Sequence, residues 1–178
     1  YGTPEQQEQW LTPLLAGEIR SAYAMTEPQV ASSDATNMEL EITRDGDEYV
    51  LNGQKIWTTM GNFARYMILL ARTNTDTARK YDGLSYFLSP MDVPGIETRP
   101  IRKITGEYGF TETFFTDARI PADCLMGEEG QGWKIAMQTL QYERGAEAGA
   151  AGGLMMVRVT IDDMIEQIRD VQRDGEPV

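Results

Sequence analysis

The spacing of hydrophobic and polar positions changes twice along this chain, and each change predicts a different kind of structure. Trp10, Leu11, Leu14 and Leu15 recur at helical spacing, and Gly17 closes that stretch. Thr3 is a good N-cap, Pro4 suits the first turn and Gln6 completes a capping box, so a short helix is predicted there. From about residue 20 to residue 120 the chain turns to short runs rich in Ile, Val, Tyr, Phe and Thr, separated by turn residues. Asp45-Gly46 separates 39–43 from 48–51, and Asn52-Gly53 separates that run from 54–59, which predicts two tight hairpins in a meander. Further strands are predicted at 21–25, 66–73, 84–89, 96–104 and 111–118.

With no helices between these strands, the pattern predicts an antiparallel β-barrel or sandwich rather than a doubly wound nucleotide fold. Pro121 ends the strand zone. After the glycine-rich GEEGQG at 127–132, apolar residues including Ile135, Met137, Leu140, Leu154, Met164 and Ile168 follow a helical period from about 133 to Val171. The run GAEAGAAGG at 145–153 either breaks this long helix or lets something approach its backbone closely. The fold class is therefore α+β, with a short N-terminal helix over 1–19, a barrel or sandwich over 20–126 and a helical region over 127–178.

The 178 residues suit one ordinary domain. The apolar face of the long helix has few partners within the chain, so further residues or another subunit are expected to cover it. The chain opens on Tyr1 with no charged leader and no apolar run long enough to span a membrane, and reads as a soluble fragment. A bacterial cytoplasm or a mitochondrial matrix would suit it, the cytoplasm being preferred.

Charge and composition narrow the chemistry. The formal net charge is -12 and the pI about 4.4, so the summed field repels nucleic acid and anionic membranes. An anionic ligand would need a local basic patch, and the dense ones are Arg79-Lys80 and the group Arg99, Arg102 and Lys103; solvated surface charge is the commoner reading of each. The chain has no histidine and one cysteine, Cys124, which removes His/Cys zinc sites, Ser-His-Asp and Cys-His catalysis and disulfide scaffolds. Cys124 reads as a small buried hydrophobe of a reducing compartment. Chemistry must come from carboxylates, hydroxyls or a bound cofactor. There is neither a Gly-x-Gly-x-x-Gly between strand and helix nor a Gly-Lys-Ser/Thr phosphate loop, which argues against nicotinamide and nucleoside triphosphates.

Three stretches carry candidate chemistry. In AMTEPQVASSD, 24–34, a polar turn after a short strand offers main-chain donors and the hydroxyls of Thr26, Ser32 and Ser33, a surface suited to the polar edge of a flavin; Ser32-Ser33-Asp34 fits a helix cap or turn as well. In KIWTTMG, 55–61, Trp57 offers a flat face for a planar ring, and strand alternation puts Thr59 on its side; a core tryptophan with a cross-strand threonine is the alternative. In Tyr142-Glu143-Arg144, a carboxylate in an apolar neighbourhood would gain proton affinity and serve as a general base, although an exposed helical Glu beside an Arg is the commoner arrangement.

In this order the segments resemble the acyl-CoA dehydrogenase family. TPEQQEQWLTPLLAGE is similar to the end of its N-terminal helical domain, and AMTEPQVASSDA, GDEYVLNGQKIWTTMGNFARYMILLART, GIETRPI and FTETFFTDARIPADCLMGEEGQGWKIAMQTLQYERG resemble its flavin-binding barrel and first C-terminal helix. The resemblance implies FAD held between subunits of a homo-oligomer, a dimer or tetramer. Met25 and Thr26 would contact the ring, Ser32 the pyrophosphate side, and Trp57 and Thr59 would flank the ring. Ser33 would touch the acyl-CoA, and Gln141, Tyr142 and Arg144 would line its thioester and pantetheine.

The reaction implied is oxidation of an acyl-CoA to the trans-2-enoyl-CoA, with an electron-transferring flavoprotein as the partner that reoxidises the flavin. In most members the base stands further along the chain, whereas isovaleryl-CoA and long-chain types carry it at the position of Glu143. The serine turn has one residue more than the common TEPGAGSD form and resembles a subgroup associated with larger or unusual acyl groups. KITGEYGFTE, 103–112, lacks the usual glycine, arginine and serine pattern near the coenzyme phosphates. Two other readings stay open: an acyl-CoA oxidase or flavin monooxygenase on the same fold, and a non-catalytic ligand- or partner-binding module.

Overall fold

The computed structural model describes residues 1–144, 158–169, 172–173 and 176–177. The chain divides into two units, Tyr1–Ala136 and Met137–Val178. In the first, the predicted capping box forms: the Gln6 amide N–H donates to Thr3 Oγ1 at 3.2 Å and the Thr3 N–H to Gln6 Oε1 at 3.1 Å. Helix α1 (Pro4–Gln6) passes through a π-helical turn (Gln7–Leu11) into α2 (Thr12–Leu15), and Gly17, at φ 76°, ends it. The wider π turn rotates the apolar stripe, so Trp10 is buried and stacks on Tyr66 while Leu11 and Leu15 stay exposed. Gln6 Nε2 anchors the helix by donating to the carbonyls of Asp123 at 2.6 Å and Leu125 at 2.9 Å.

Eight strands follow: β1 (Ser21–Ala24), β2 (Glu41–Asp45), β3 (Glu48–Thr59), β4 (Tyr66–Arg72), β5 (Leu84–Pro90), β6 (Ile96–Arg102), β7 (Tyr108–Pro121) and β8 (Leu125–Met126). They form one sheet in the order β6-β7-β3-β2-β4-β5-β8, with β1 also on β4. The mixed α+β class holds, but the sheet is open rather than a closed barrel. One open edge is β6, where Pro100 has no N–H to offer a further strand, and Glu97 and Arg99 point charge outward. Most pairs are antiparallel, whereas β1 runs parallel to β4, and β2 meets β4 in parallel at Glu41↔Arg72. Thus β1 and β2 occupy successive lengths of the same β4 edge, and residues 25–40 leave the sheet and return to it.

The Asp45-Gly46 hairpin is present between β2 and β3, with Gly46 at φ 64°. The second predicted hairpin is not: Asn52-Gly53 lies inside the continuous β3, and β3 pairs along its length with β7. Asn52 satisfies its side chain across the sheet, accepting from the Asp117 N–H at 2.9 Å and donating to Asp117 Oδ1 at 3.1 Å. Gly53, at φ 138°, admits Leu40, whose Cγ would lie 3.1 Å from any Cβ placed there. The core behind the sheet is built from Ala22, Leu40, Ile42, Tyr49, Leu51, Leu69, Phe87, Phe115, Ile120 and Cys124.

The loop 127–132 is docked on the sheet. Gly130 N–H donates to Ser85 Oγ at 2.9 Å, and Tyr49 hydrogen-bonds Glu129. Helix α3 (Gly132–Arg144) follows. In the second unit residues 158–168 are helical and the two-residue strands β9 (Gln172–Arg173) and β10 (Glu176–Pro177) pair antiparallel, so the helical pattern ends before 172; the 145–153 run lies outside the described residues. Among the described residues no helix is long and apolar enough to cross a membrane.

Gln6→Ala removes one half of the capping box and two bonds to β8 and the turn before it. It should destabilise the fold by about 1–3 kcal/mol, read as a lowered midpoint in urea with an unchanged slope.

Candidate functional site

Two of the stretches singled out above, separate in sequence, are locked together in space. The turn that leaves β1 at Met25 lies against β3: Ile56 N–H donates to Thr26 O at 2.9 Å. Lys55, fully buried, sends its ammonium to Met25 O at 3.0 Å, Glu27 Oε1 at 2.7 Å and Met38 Sδ at 3.4 Å. Glu27, also buried, accepts from the N–H groups of Glu39 at 2.6 Å and Leu40 at 3.0 Å, where the chain rejoins the sheet. One carboxylate therefore ties the start of the excursion to its end, and one ammonium ties both to β3.

Burial pulls the Lys55 ammonium down to about 8, and the Glu27 carboxylate works against that pull. Sequence reasoning passed over both residues. The available signal was a lysine two positions before Trp57, on the strand face where apolar residues belong.

The far end of the excursion has its own clasp. The Arg72 guanidinium donates to Thr36 O at 2.7 Å, Met38 O at 2.8 Å and Lys80 O at 2.9 Å. Ser32–Asn37 forms a 3-10 segment interrupted at Asp34, whose carboxylate accepts from Thr36 Oγ1 at 2.8 Å and from Asn37 Nδ2. Beside it lies a cleft of about 500 Å³ whose walls carry two cationic side chains, Arg72 and Lys80, and two carboxylates, Glu39 and Glu41. The Lys80 ammonium meets the Asn37 side-chain oxygen rather than a carboxylate. The other basic candidates are engaged elsewhere: Arg79 with Asp82, Arg99 with Glu97 and over the Phe114 ring at 4.4 Å, and Lys103 with Glu107.

Trp57 occupies a β-bulge. Between Lys55↔Thr113 and Thr58↔Thr111, β3 spends three steps against two on β7, and Trp57 takes φ 60°. A left-handed backbone costs an aromatic residue roughly 1–2 kcal/mol. The extra residue reverses the inside-outside phase. Lys55 and Thr58 are buried, whereas Trp57 is 54 % exposed and Thr59 is exposed. Without the bulge Trp57 and Thr59 would share the buried face of Lys55.

Phe110 braces the indole edge-on at 6.1 Å, and Thr111 Oγ1 holds the bulge by donating to Thr58 O at 3.1 Å. Met60, at φ 53°, and Gly61 complete the turn; a Cβ at Gly61 would collide with the Thr111 hydroxyl. Behind the bulge the buried hydroxyls of Thr58 and Thr113 have no hydrogen-bond partner among the described residues.

Met25 and Thr26 are half-buried at the turn, Ser32 is exposed, and the side chain of Ser33 lies outside the described residues. Gln141, Tyr142 and Glu143 are exposed on the last turn of α3, in the second unit, and the side chain of Arg144 lies outside the described residues. The apolar surroundings expected for Glu143 are absent among the described residues. The first-unit residues fit a flat, polar-edged ring: an exposed indole, the exposed Thr59 hydroxyl and a hydroxyl-bearing turn bonded to the same strand.

Lys55→Met would leave the Glu27 carboxylate buried without its cation, and should destabilise the fold by about 3–5 kcal/mol in chemical denaturation. Cys124 is buried in the core, and desolvation pushes its thiol up to about 12. At pH 8 it should therefore react with a chromogenic disulfide reagent at a small fraction of the rate seen in denaturant.

Residues 22–118 match the acyl-CoA dehydrogenase middle domain. The acyl-CoA dehydrogenase IpdE1 of Mycobacterium tuberculosis is 36% identical over 178 residues, covering 100% of this chain and 45% of its own length. A crystal structure of an acyl-CoA dehydrogenase from Geobacillus kaustophilus superposes with TM-score 0.87 at 34% identity, over 100% of this chain and 47% of that one. The glutaryl-coenzyme A dehydrogenase glutaryl-CoA complex does so with TM-score 0.87 at 28% identity, over 99% and 44%. The chain thus spans about half the length of the relatives it matches. With the middle-domain match covering more than half of its length and these relatives aligned along it, the chain belongs to the acyl-CoA dehydrogenase family.

Proposed function

We propose that this chain carries the flavin-facing part of an FAD-dependent acyl-CoA dehydrogenase that converts an acyl-CoA to its trans-2-enoyl-CoA. The observation that carries the reading is the union of the Met25–Thr26 turn with the outward-turned Trp57 and Thr59, through Ile56 N–H and Lys55. Residues 1–19 would then end an N-terminal helical region, 20–126 form the flavin-binding domain and 127–178 begin a C-terminal helical domain.

On this reading Met25, Thr26, Trp57 and Thr59 hold the ring, and Ser32 the pyrophosphate side. Bound FAD would supply the acceptor for the two electrons that leave with the β-hydrogen. Trp57, raised on its bulge, offers a flat contact to the ring, and its bracing by Phe110 limits the rotamers it must give up on binding. Glu143 is the carboxylate assigned to the α-proton of the substrate. Ser33, Gln141, Tyr142 and Arg144 are assigned to the acyl-CoA.

Because the Trp57 face is open surface, the ring needs cover from outside this unit, which supports a homo-oligomer in which another subunit contributes. Reoxidation is assigned to an electron-transferring flavoprotein, and slow reoxidation in air would separate this reading from an oxidase.

FAD titrated into the chain should lose flavin fluorescence, and Trp57→Ala should weaken that binding about tenfold, the loss of one stacked ring. In the enzyme with its flanking regions, acyl-CoA should bleach the flavin anaerobically, and Glu143→Gln should abolish the bleaching while leaving flavin bound. Bleaching by Glu143→Gln at the wild-type rate would move the base elsewhere.

A further inference from the structure

The face assigned to the ring is assembled from two chain segments whose relative position no covalent constraint sets. Ile56 N–H to Thr26 O is one backbone bond between them. The other hydrogen bonds from the turn to β3 pass through one side chain, Lys55, in contact with Met25 O and Glu27. Glu27 in turn holds the N–H groups of Glu39 and Leu40, so a shift of Glu27 moves both ends of the excursion. Lys55 also lies two residues before Trp57, directly at the start of the register shift that turns the indole outward.

From this geometry we infer that Lys55 is the positioning residue of the cofactor face: through Glu27 and Met25 O it sets the distance between the Met25–Thr26 turn and the Trp57 bulge. The inference rests on the cofactor reading given above, but its physical content concerns the protein alone. A pair that served stability only would be replaceable by neutral side chains of similar size with no local consequence at Trp57. A positioning pair would not, because the neutral replacements lose the direction that three donors to one carboxylate and one ammonium to two oxygens impose.

The test uses the double variant Lys55→Met with Glu27→Gln, which removes both charges and avoids a buried unpaired carboxylate. The chain has three tryptophans, Trp10, Trp57 and Trp133, so 5-fluorotryptophan gives three fluorine resonances. In the double variant the Trp57 resonance should shift and broaden while those of Trp10 and Trp133 hold. The Ile56 amide should exchange roughly tenfold faster, as local opening of its bond to Thr26 requires. A double variant that keeps the wild-type Trp57 resonance and Ile56 protection overturns the inference.

Should the variant fail to fold, the wild-type chain decides. Glu27 is the one charged group among the described residues that faces the Lys55 ammonium. Burial pulls the Lys55 ammonium below the ordinary lysine range, so raising the pH through its titration should move the Trp57 resonance in a single step that Trp10 does not share. A Trp57 resonance that stays flat while the Lys55 side-chain signal itself titrates overturns the inference. Added FAD separates the two ideas: a wild-type chain in which Trp57 follows Lys55 but ignores FAD overturns the cofactor reading and leaves the positioning role intact.

Discussion

The buried contact between Lys55 and Glu27 is the constraint on which the rest of the first unit's chemistry depends. Two ions taken out of water cost several kcal/mol each, and a buried pair recovers that only when every remaining donor and acceptor is met. Here most of them are: the ammonium has a carboxylate, a carbonyl and a thioether, and the carboxylate has two further backbone N–H groups. The partners come from β3, from the start of the 25–40 excursion and from its end. The pair can be satisfied only when all three are in place, which is why it acts on position and not merely on stability.

The strand pair β3 and β7 adds the second constraint. Its two irregularities lie on opposite strands: Asp117, at φ 46°, is the extra residue on β7, and Trp57 the extra residue on β3. The first is stabilised by Asn52 bonding across the ladder, and the second by Thr111 and the close approach of Gly61. Because side chains alternate with period two, one added residue decides which face the indole and the Thr59 hydroxyl occupy. Backbone strain at a bulge that turns an aromatic outward is the pattern expected where a surface is shaped for a ligand.

Much of this was legible. The capping box at Thr3 and Gln6 and the Asp45-Gly46 turn are local features, in which neighbours in sequence supply each other's hydrogen bonds, and the β4 and β5 runs stand out as apolar stretches bounded by turn residues. Asn52-Gly53 reads as a turn because an Asn-Gly pair suits one, whereas the partner that keeps it in a strand, Asp117, stands 65 residues away. The open sheet escaped for a related reason: strand patterns give faces, and closure depends on which edges meet. Lys55 and Glu27 escaped because an isolated lysine and an isolated glutamate each look like solvated charge until their partner is known.

By itself, the sequence determined the α+β class, most of the strands, the exclusion of histidine and disulfide chemistry, and the two stretches that meet at the candidate site. Those follow from composition and from interactions between residues a few positions apart. Only the tertiary structure decided that β1 and β2 share one edge of β4, that the intervening excursion is clasped by Glu27 and Arg72, and that Trp57 faces out rather than in. Each of these is a long-range pairing or a phase set by one extra residue in a ladder, and neither is written in the local pattern of the chain.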